Sequence, residues 1–175
     1  MLGGIMTLSN RKMHRAVAAE LGEFSSLLEI GFGSGAQLEM ISKMYTGKEL
    51  YGIELSQDML EVAGNRLGTS VKLSLGDCSE TFFPDGFFDV VITTDTCYFW
   101  SDPQKVLREI DRITKPKSRL ILAYNAVYAG SVHRSAGGSM CDDKTIKEET
   151  RHAGMKVISQ KKCGFKQEIY VIETN

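Results

Sequence analysis

Three acids placed at similar points along the chain show where chemistry could sit. Glu29 lies inside a short apolar run, Leu27-Leu28-Glu29-Ile30, which stops at Gly31-Phe32-Gly33-Ser34-Gly35. Glu54 ends a second run, Glu49-Leu50-Tyr51-Gly52-Ile53-Glu54, and Asp77 follows a third, Val71 to Leu75, within Gly76-Asp77-Cys78. Glycines allow the positive φ angles of a tight turn and let a ligand approach the backbone closely. A helix that starts at Ala36 aims its unpaired N–H groups and its positive dipole end into that turn. An acid at the end of the second strand suits the two hydroxyls of a ribose. An acid after the third can accept from an adenine amino group, and Glu29 would face the amino group of a bound amino acid. Gly31-x-Gly33-x-x-Ala36 also satisfies the permissive dinucleotide pattern. Alone, the glycine run therefore leaves open a nicotinamide-dependent oxidoreductase, or a turn that only packs strand on helix. A dinucleotide, however, has no amino group for Glu29 to meet.

A second group of residues follows the fourth apolar run, in Thr94-Asp95-Thr96-Cys97-Tyr98-Phe99-Trp100. Asp95 and Tyr98, with His133 from a later loop, are the candidates for moving a proton. Tyr98, Phe99 and Trp100 could wall an apolar or aromatic pocket, or could simply pack helix on sheet. The four cysteines, Cys78, Cys97, Cys141 and Cys163, form no C-x-x-C pair and match no zinc spacing, which implies free thiols and no metal site. Asp95 and Asn125 stand where a magnesium-assisted catechol-type site would need ligands, but a third ligand is missing.

The elements that must position these residues alternate. Apolar Met13, Val17 and Leu21 predict a helix over Leu8 to Leu21. Strands are expected at Leu27–Ile30, Glu49–Glu54, Val71–Leu75, Phe88–Thr94 and Arg119–Tyr124. Helices are expected at Ala36–Met44, after Ser56 as N-cap, and from Asp102-Pro103 until Lys115-Pro116-Lys117 ends that helix. Pro84-Asp85-Gly86 reads as a turn. Val127 to Met140 is rich in Gly, Ser and Ala and reads as a loop. Asp142-Asp143 can cap a helix to His152 that stops at Gly154. Lys156–Lys162 and Lys166–Glu173 then form a hairpin around Cys163-Gly164-Phe165. Five strand–helix units followed by a hairpin imply an α/β fold, with a mostly parallel sheet between two helical layers.

Bulk properties narrow the function classes. With 175 residues, 42% hydrophobic and 25% charged, the chain suits a single globular domain spanning 1–175. A net charge of −1 and the lack of a basic stripe give no electrostatic case for nucleic acid or an anionic membrane. No apolar run reaches the roughly 18–20 residues that span a bilayer, and no signal peptide is visible, so a cytoplasmic protein is expected.

Taken together, these motifs resemble the class I S-adenosylmethionine-dependent methyltransferases, in particular the small-molecule branch that includes ubiquinone- and menaquinone-biosynthesis enzymes. Leu28 to Gly35 resembles the family's first motif and Tyr51 to Ser56 its second. Gly76-Asp77-Cys78 resembles the adenine-binding motif. Phe83 to Val91 and Leu107 to Leu120 resemble the segments that follow. A Pro-Gly-Gly turn is replaced by Pro116-Lys117-Ser118, and paired histidines after the fourth strand by the Tyr98-Phe99-Trp100 run.

The resemblance implies a three-layer Rossmann-like methyltransferase fold, a seven-stranded sheet ending in an antiparallel hairpin. Its cofactor would be S-adenosyl-L-methionine and its product S-adenosyl-L-homocysteine. The implied cofactor contacts are Glu29, Gly31, Phe32, Gly33 and Gly35 at the methionine part, Glu54 on the ribose, Leu55, Met59, Asp77 and Cys78 toward the adenine, and Thr94 near the sulfonium. Methyl transfer is a direct in-line displacement, which positioning alone can accelerate strongly. No catalytic residue is therefore required, and Asp95, Tyr98 and His133 remain candidates only. Residues 1–24 form an expected helical lid, and the acceptor is expected to be a small molecule. A non-catalytic cofactor-binding or partner subunit with the same fold is the alternative.

Overall fold

The computed structural model describes residues 2–126 and 142–175, with side chains from Asn10 onward in the first helix. Helix α1 (Leu2–Ala19) leads to β1 (Ser26–Ile30), α2 (Ala36–Met44), β2 (Glu49–Glu54), α3 (Gln57–Leu67), β3 (Lys72–Leu75) and β4 (Phe88–Thr94). A short 3-10 turn at Cys97–Phe99 precedes α4 (Pro103–Ile113), β5 (Thr114–Asn125), α5 (Asp143–His152), β6 (Lys156–Gly164) and β7 (Gln167–Glu173). All seven strands join one sheet in the order β3-β2-β1-β4-β5-β7-β6. β1 to β5 run parallel, while β7 lies antiparallel between β5 and β6.

Local chemistry sets the ends of the elements. Ser56 caps α3 by accepting the Met59 N–H, Asp102 caps α4 ahead of Pro103, and Asp142 caps α5. Gly35, at φ 73°, turns the chain into α2 without a side-chain cap. Gly154, at φ 81°, follows the end of α5.

Each face of the sheet carries a helical layer. Met13, Val17 and Leu21 pack with Leu38, Ile41, Ala63 and Leu67 on one side. Val106, Leu107, Ile110, Ile113 and Ile146 pack against Leu28, Val91 and Leu120 on the other. The expected α/β class, sheet and hairpin are therefore present. Among the described residues, no helix is long and apolar enough to cross a membrane.

Several boundaries differ from the sequence expectation. Helix α1 starts at Leu2, six residues before the expected Leu8. The Lys115-Pro116-Lys117 segment is not a turn before a strand but an interruption within β5. Phe88 pairs with Thr114, and the next pair is Val90 with Arg119. Lys117 takes φ 60° to let the extra residues bulge out. The hairpin turn is the pair Phe165-Lys166, with Lys166 at φ 54°, because Cys163 and Gly164 continue β6. His133 and the expected loop of Val127 to Met140 lie outside the described residues.

Candidate functional site

The register places one level of the sheet at the site. Ile30 sits opposite both Ile53 and Thr93, so Gly31, Glu54 and Thr94 emerge side by side at the carboxyl ends of β1, β2 and β4. A cleft of about 860 Å³ opens there. Its walls include Glu29, Gly31, Phe32 and Gly33 from the first turn, Glu54 and Leu55 from the second, Asp77 and Cys78 from the third, and Thr94 and Asp95 from the fourth. Ligand crevices of open parallel sheets lie at this edge.

The glycine turn is built for close approach. Gly31 (φ 68°) and Gly33 (φ 50°) both occupy the left-handed region. A Cβ on Gly31 would stand 2.4 Å from the Thr96 methyl, whereas one on Gly33 would meet nothing within 4 Å and would project into open space. The Gly33 N–H donates to Glu54 Oε2 at 2.9 Å, and the N–H groups of Leu55 and Ser56 donate to Oε1 at 2.9 and 3.1 Å. The carboxylate at the end of β2 is thus fixed before any ligand arrives.

Glu29 is 3% exposed. Burial, with the charge of Glu54 nearby, raises its carboxyl well above the usual range, and the Leu38 N–H of the first turn of α2 works the other way. Among the described residues its Oε2 has no partner. Both polar atoms of buried Gln37, Thr94 Oγ1 and Asn10 Oδ1 are likewise without partners among them, and all four residues line the cleft. Buried polar atoms are costly to leave unsatisfied. Here they converge on one cavity, so this wall fits a ligand that brings both donors and acceptors, as an amino-acid end does.

On the opposite side, Asp77 accepts from the Ser79 N–H at 2.7 Å. Burial, with the charges of Asp77 and Glu54, pushes the neighbouring Cys78 thiol up to about 12, so it is neutral and unreactive at physiological pH. Asp95 takes φ 57°, an uncommon angle for a residue with a side chain. Its N–H donates to the Ala123 carbonyl, and its carboxylate accepts the Asn125 N–H at 2.8 Å and a Tyr98 hydrogen bond. Burial outweighs both and raises the carboxyl to about 6.

Most of the residues predicted from sequence meet in this cleft, but some do not. Gly35 faces Leu67 and Ala63 of α3, so it serves packing. Met59 is not in the cleft wall, because it sits on α3 beyond the Ser56 cap. Tyr98 is buried outside the cleft wall and hydrogen-bonds Asp95, while exposed Phe99 and buried Trp100 both line the cleft. Sequence reasoning missed Gln37, Asn10 and His14. Gln37 lies two residues after Gly35, at the start of α2, so its position is a usable signal. Asn10 and His14 are one turn apart on α1, and only packing brings them here.

The cleft lies at the carboxyl edge of a parallel sheet, and comparisons with known proteins identify the domain. The methyltransferase domain family matches residues 28–122. The chain belongs to this family. An uncharacterized methyltransferase of Bacillus subtilis, YdaC, is 32% identical over 117 residues, covering 65% of this chain and 65% of that protein. Demethylmenaquinone methyltransferase of Thermotoga maritima is 30% identical over 96 residues, covering 55% of this chain and 42% of that protein. The matches thus span less than two thirds of either relative. A SAM-dependent methyltransferase from Aquifex aeolicus superposes with a TM-score of 0.78 at 22% identity, covering 93% of this chain and 89% of that one. The chain thus carries a methyltransferase domain on the fold that it shares with this S-adenosylmethionine-dependent enzyme. The antiparallel β7 lies beside β5, where a dinucleotide-binding sheet of order 3-2-1-4-5-6 has its sixth parallel strand.

Proposed function

We propose that the protein transfers a methyl group from S-adenosylmethionine to a small acceptor seated beside Asp95 and Phe99, acting as one domain with α1 as lid. The observation that carries this reading is the set of unpartnered buried atoms on Glu29, Gln37 and Thr94 around one cleft. Glu29, when ionised, would hold the ammonium group of the cofactor, and the Gln37 amide would satisfy its carboxylate. Glu54 would receive the ribose hydroxyls, and Asp77 with the Cys78 backbone would meet the adenine edge. The bound cofactor supplies a methyl group already activated by sulfonium.

The protein's part is then to align, to exclude water and to handle one proton. Asp95, mostly ionised at neutral pH, can accept a proton from a hydroxyl or amine acceptor. Tyr98 and the Asn125 N–H orient its carboxylate. The Thermotoga maritima relative is named a demethylmenaquinone methyltransferase, which supports a quinone-like rather than a macromolecular acceptor for this chain.

Calorimetric titration with S-adenosylmethionine and S-adenosylhomocysteine tests the reading, with NADH as control. Micromolar binding of the two adenosyl compounds, weakened in Glu54→Ala and absent for NADH, is expected. No binding of either adenosyl compound would overturn it. A screen of radiolabelled methyl transfer to small phenols, amines and quinols then separates an enzyme from a silent subunit.

A further inference from the structure

A second groove of about 770 Å³ runs between α1 and α2 and shares Asn10, His14, Ser34 and Ala36 with the cleft. Four cationic side chains from three helices line it: Arg11 and Arg15 of α1, Lys43 of α2 and Arg66 of α3. One carboxylate, Glu39, faces them, and it is engaged by Lys43 at 2.6 Å and by Arg66 at 3.0 Å. Arg11 and Arg15 form no ion pair among the described residues. They are four residues apart, so both guanidinium groups rise from one face of α1. Like charges on the walls of a groove repel unless an anion lies between them. The protein as a whole carries a net charge of −1, so this concentration of positive charge is local.

We propose that the groove is an anion subsite for a phosphate or diphosphate group on the acceptor, whose reactive end enters the adjoining cleft. This rests on the methyltransferase reading and adds the acceptor's chemical class. Arginine presents parallel N–H donors that match phosphate oxygens, and two arginines one turn apart can grip two phosphate groups or both edges of one. His14, whose imidazole burial keeps toward the neutral form, stands where the two cavities meet and can donate a hydrogen bond without adding charge. The cations are confined to one groove rather than forming a stripe, which favours a small phosphorylated molecule over a nucleic-acid backbone.

The test is titration of inorganic pyrophosphate into protein saturated with S-adenosylhomocysteine, at low ionic strength and without divalent cations. Pyrophosphate is expected to bind, with affinity falling as salt rises. Arg11→Glu combined with Arg15→Glu is expected to weaken pyrophosphate at least tenfold, about 1.4 kcal/mol, while leaving S-adenosylhomocysteine affinity in place. Lys43→Gln with Arg66→Gln provides a second, independent variant from the opposite wall. Absence of pyrophosphate binding in protein that binds S-adenosylhomocysteine would overturn the subsite and leave the methyltransferase reading intact. Failure to bind either compound would overturn both. Unchanged pyrophosphate affinity in both variants would also overturn the assignment. So would an oligouridylate that binds far more tightly than pyrophosphate, since that is the response of a nucleic-acid surface.

Discussion

Glu54 Oε2 accepts the Gly33 N–H at 2.9 Å, so a single carboxylate ties the end of β2 to the glycine turn that follows β1. Its other oxygen holds the Leu55 and Ser56 amides, which fixes the start of α3 as well. Replacing it should therefore damage binding and the turn together. Glu54→Gln should lower S-adenosylhomocysteine affinity by about tenfold to a hundredfold, matching the loss of one or two charge-assisted hydrogen bonds. Calorimetry reads the affinity, and a fall in Tm of the ligand-free protein reads the loosened turn. Unchanged affinity would mean that the ribose does not meet this residue.

The two glycines of the turn should fail differently. Gly31→Ala pays for a left-handed alanine and for a Cβ 2.4 Å from the Thr96 methyl, whose hydroxyl is held by Thr93. A loss of about 3 kcal/mol in unfolding free energy is expected. Gly33→Ala bears only the backbone cost, about 1–2 kcal/mol, yet its methyl enters the cleft. Chemical denaturation should rank Gly31→Ala as the less stable protein. Cofactor titration should show Gly33→Ala folded but defective in binding.

Glu29 should expel its proton when the cofactor binds. Burial and the nearby charge of Glu54 favour its neutral form in the empty cleft. An ammonium group placed against it favours the charged form instead. Calorimetric titrations repeated across pH in buffers of different ionisation enthalpy should reveal proton release on S-adenosylhomocysteine binding, and Glu29→Gln should remove it. Without ligand the sign is fixed by linkage: a raised carboxyl contributes stability at low pH that is lost as pH rises through its folded value. Glu29→Gln should flatten that decline in Tm. A binding enthalpy independent of the buffer would show that Glu29 does not change its ionisation.

How much of this was legible in the sequence depends on the kind of contact involved. Glu29, Glu54 and Asp77 could be found because parallel strands align their carboxyl ends, so an acid near each end falls at one edge of the sheet. The glycine run then marks which edge. The motif resemblance alone assigns Met59 and Gly35 to the cofactor, but Met59 is not in the cleft wall, and Gly35 is held against Ala63 and Leu67. Asn10 and His14 are not legible as site residues, because their placement depends on how α1 packs beside α2. The interruption in β5 was read as a turn, since Lys115-Pro116-Lys117-Ser118 has turn composition. Pairing with β4 on both sides of it, at Thr114 and again at Arg119, makes it a bulge.

Asp95 offers the last test, because its ionisation should appear both in stability and in turnover. Burial raises its carboxyl to about 6, against hydrogen bonds from the Asn125 N–H and Tyr98 that favour the anion. A raised carboxyl stabilises the folded protein below its unfolded value and loses that contribution as pH climbs through about 6. The Tm of the wild-type protein should therefore fall between about pH 4 and about pH 7 by more than that of Asp95→Asn. Asparagine tolerates the φ of 57° that this position requires, so the variant should fold. If Asp95 takes the acceptor's proton, turnover should rise through the same pH window in the wild type and be lost in Asp95→Asn, with cofactor affinity unchanged. Tyr98→Phe removes one bond to the anion, so it should move the inflection to higher pH without abolishing activity. Full activity in Asp95→Asn with a flat pH profile would assign Asp95 to the shape of the β4 turn alone and leave methyl transfer to positioning.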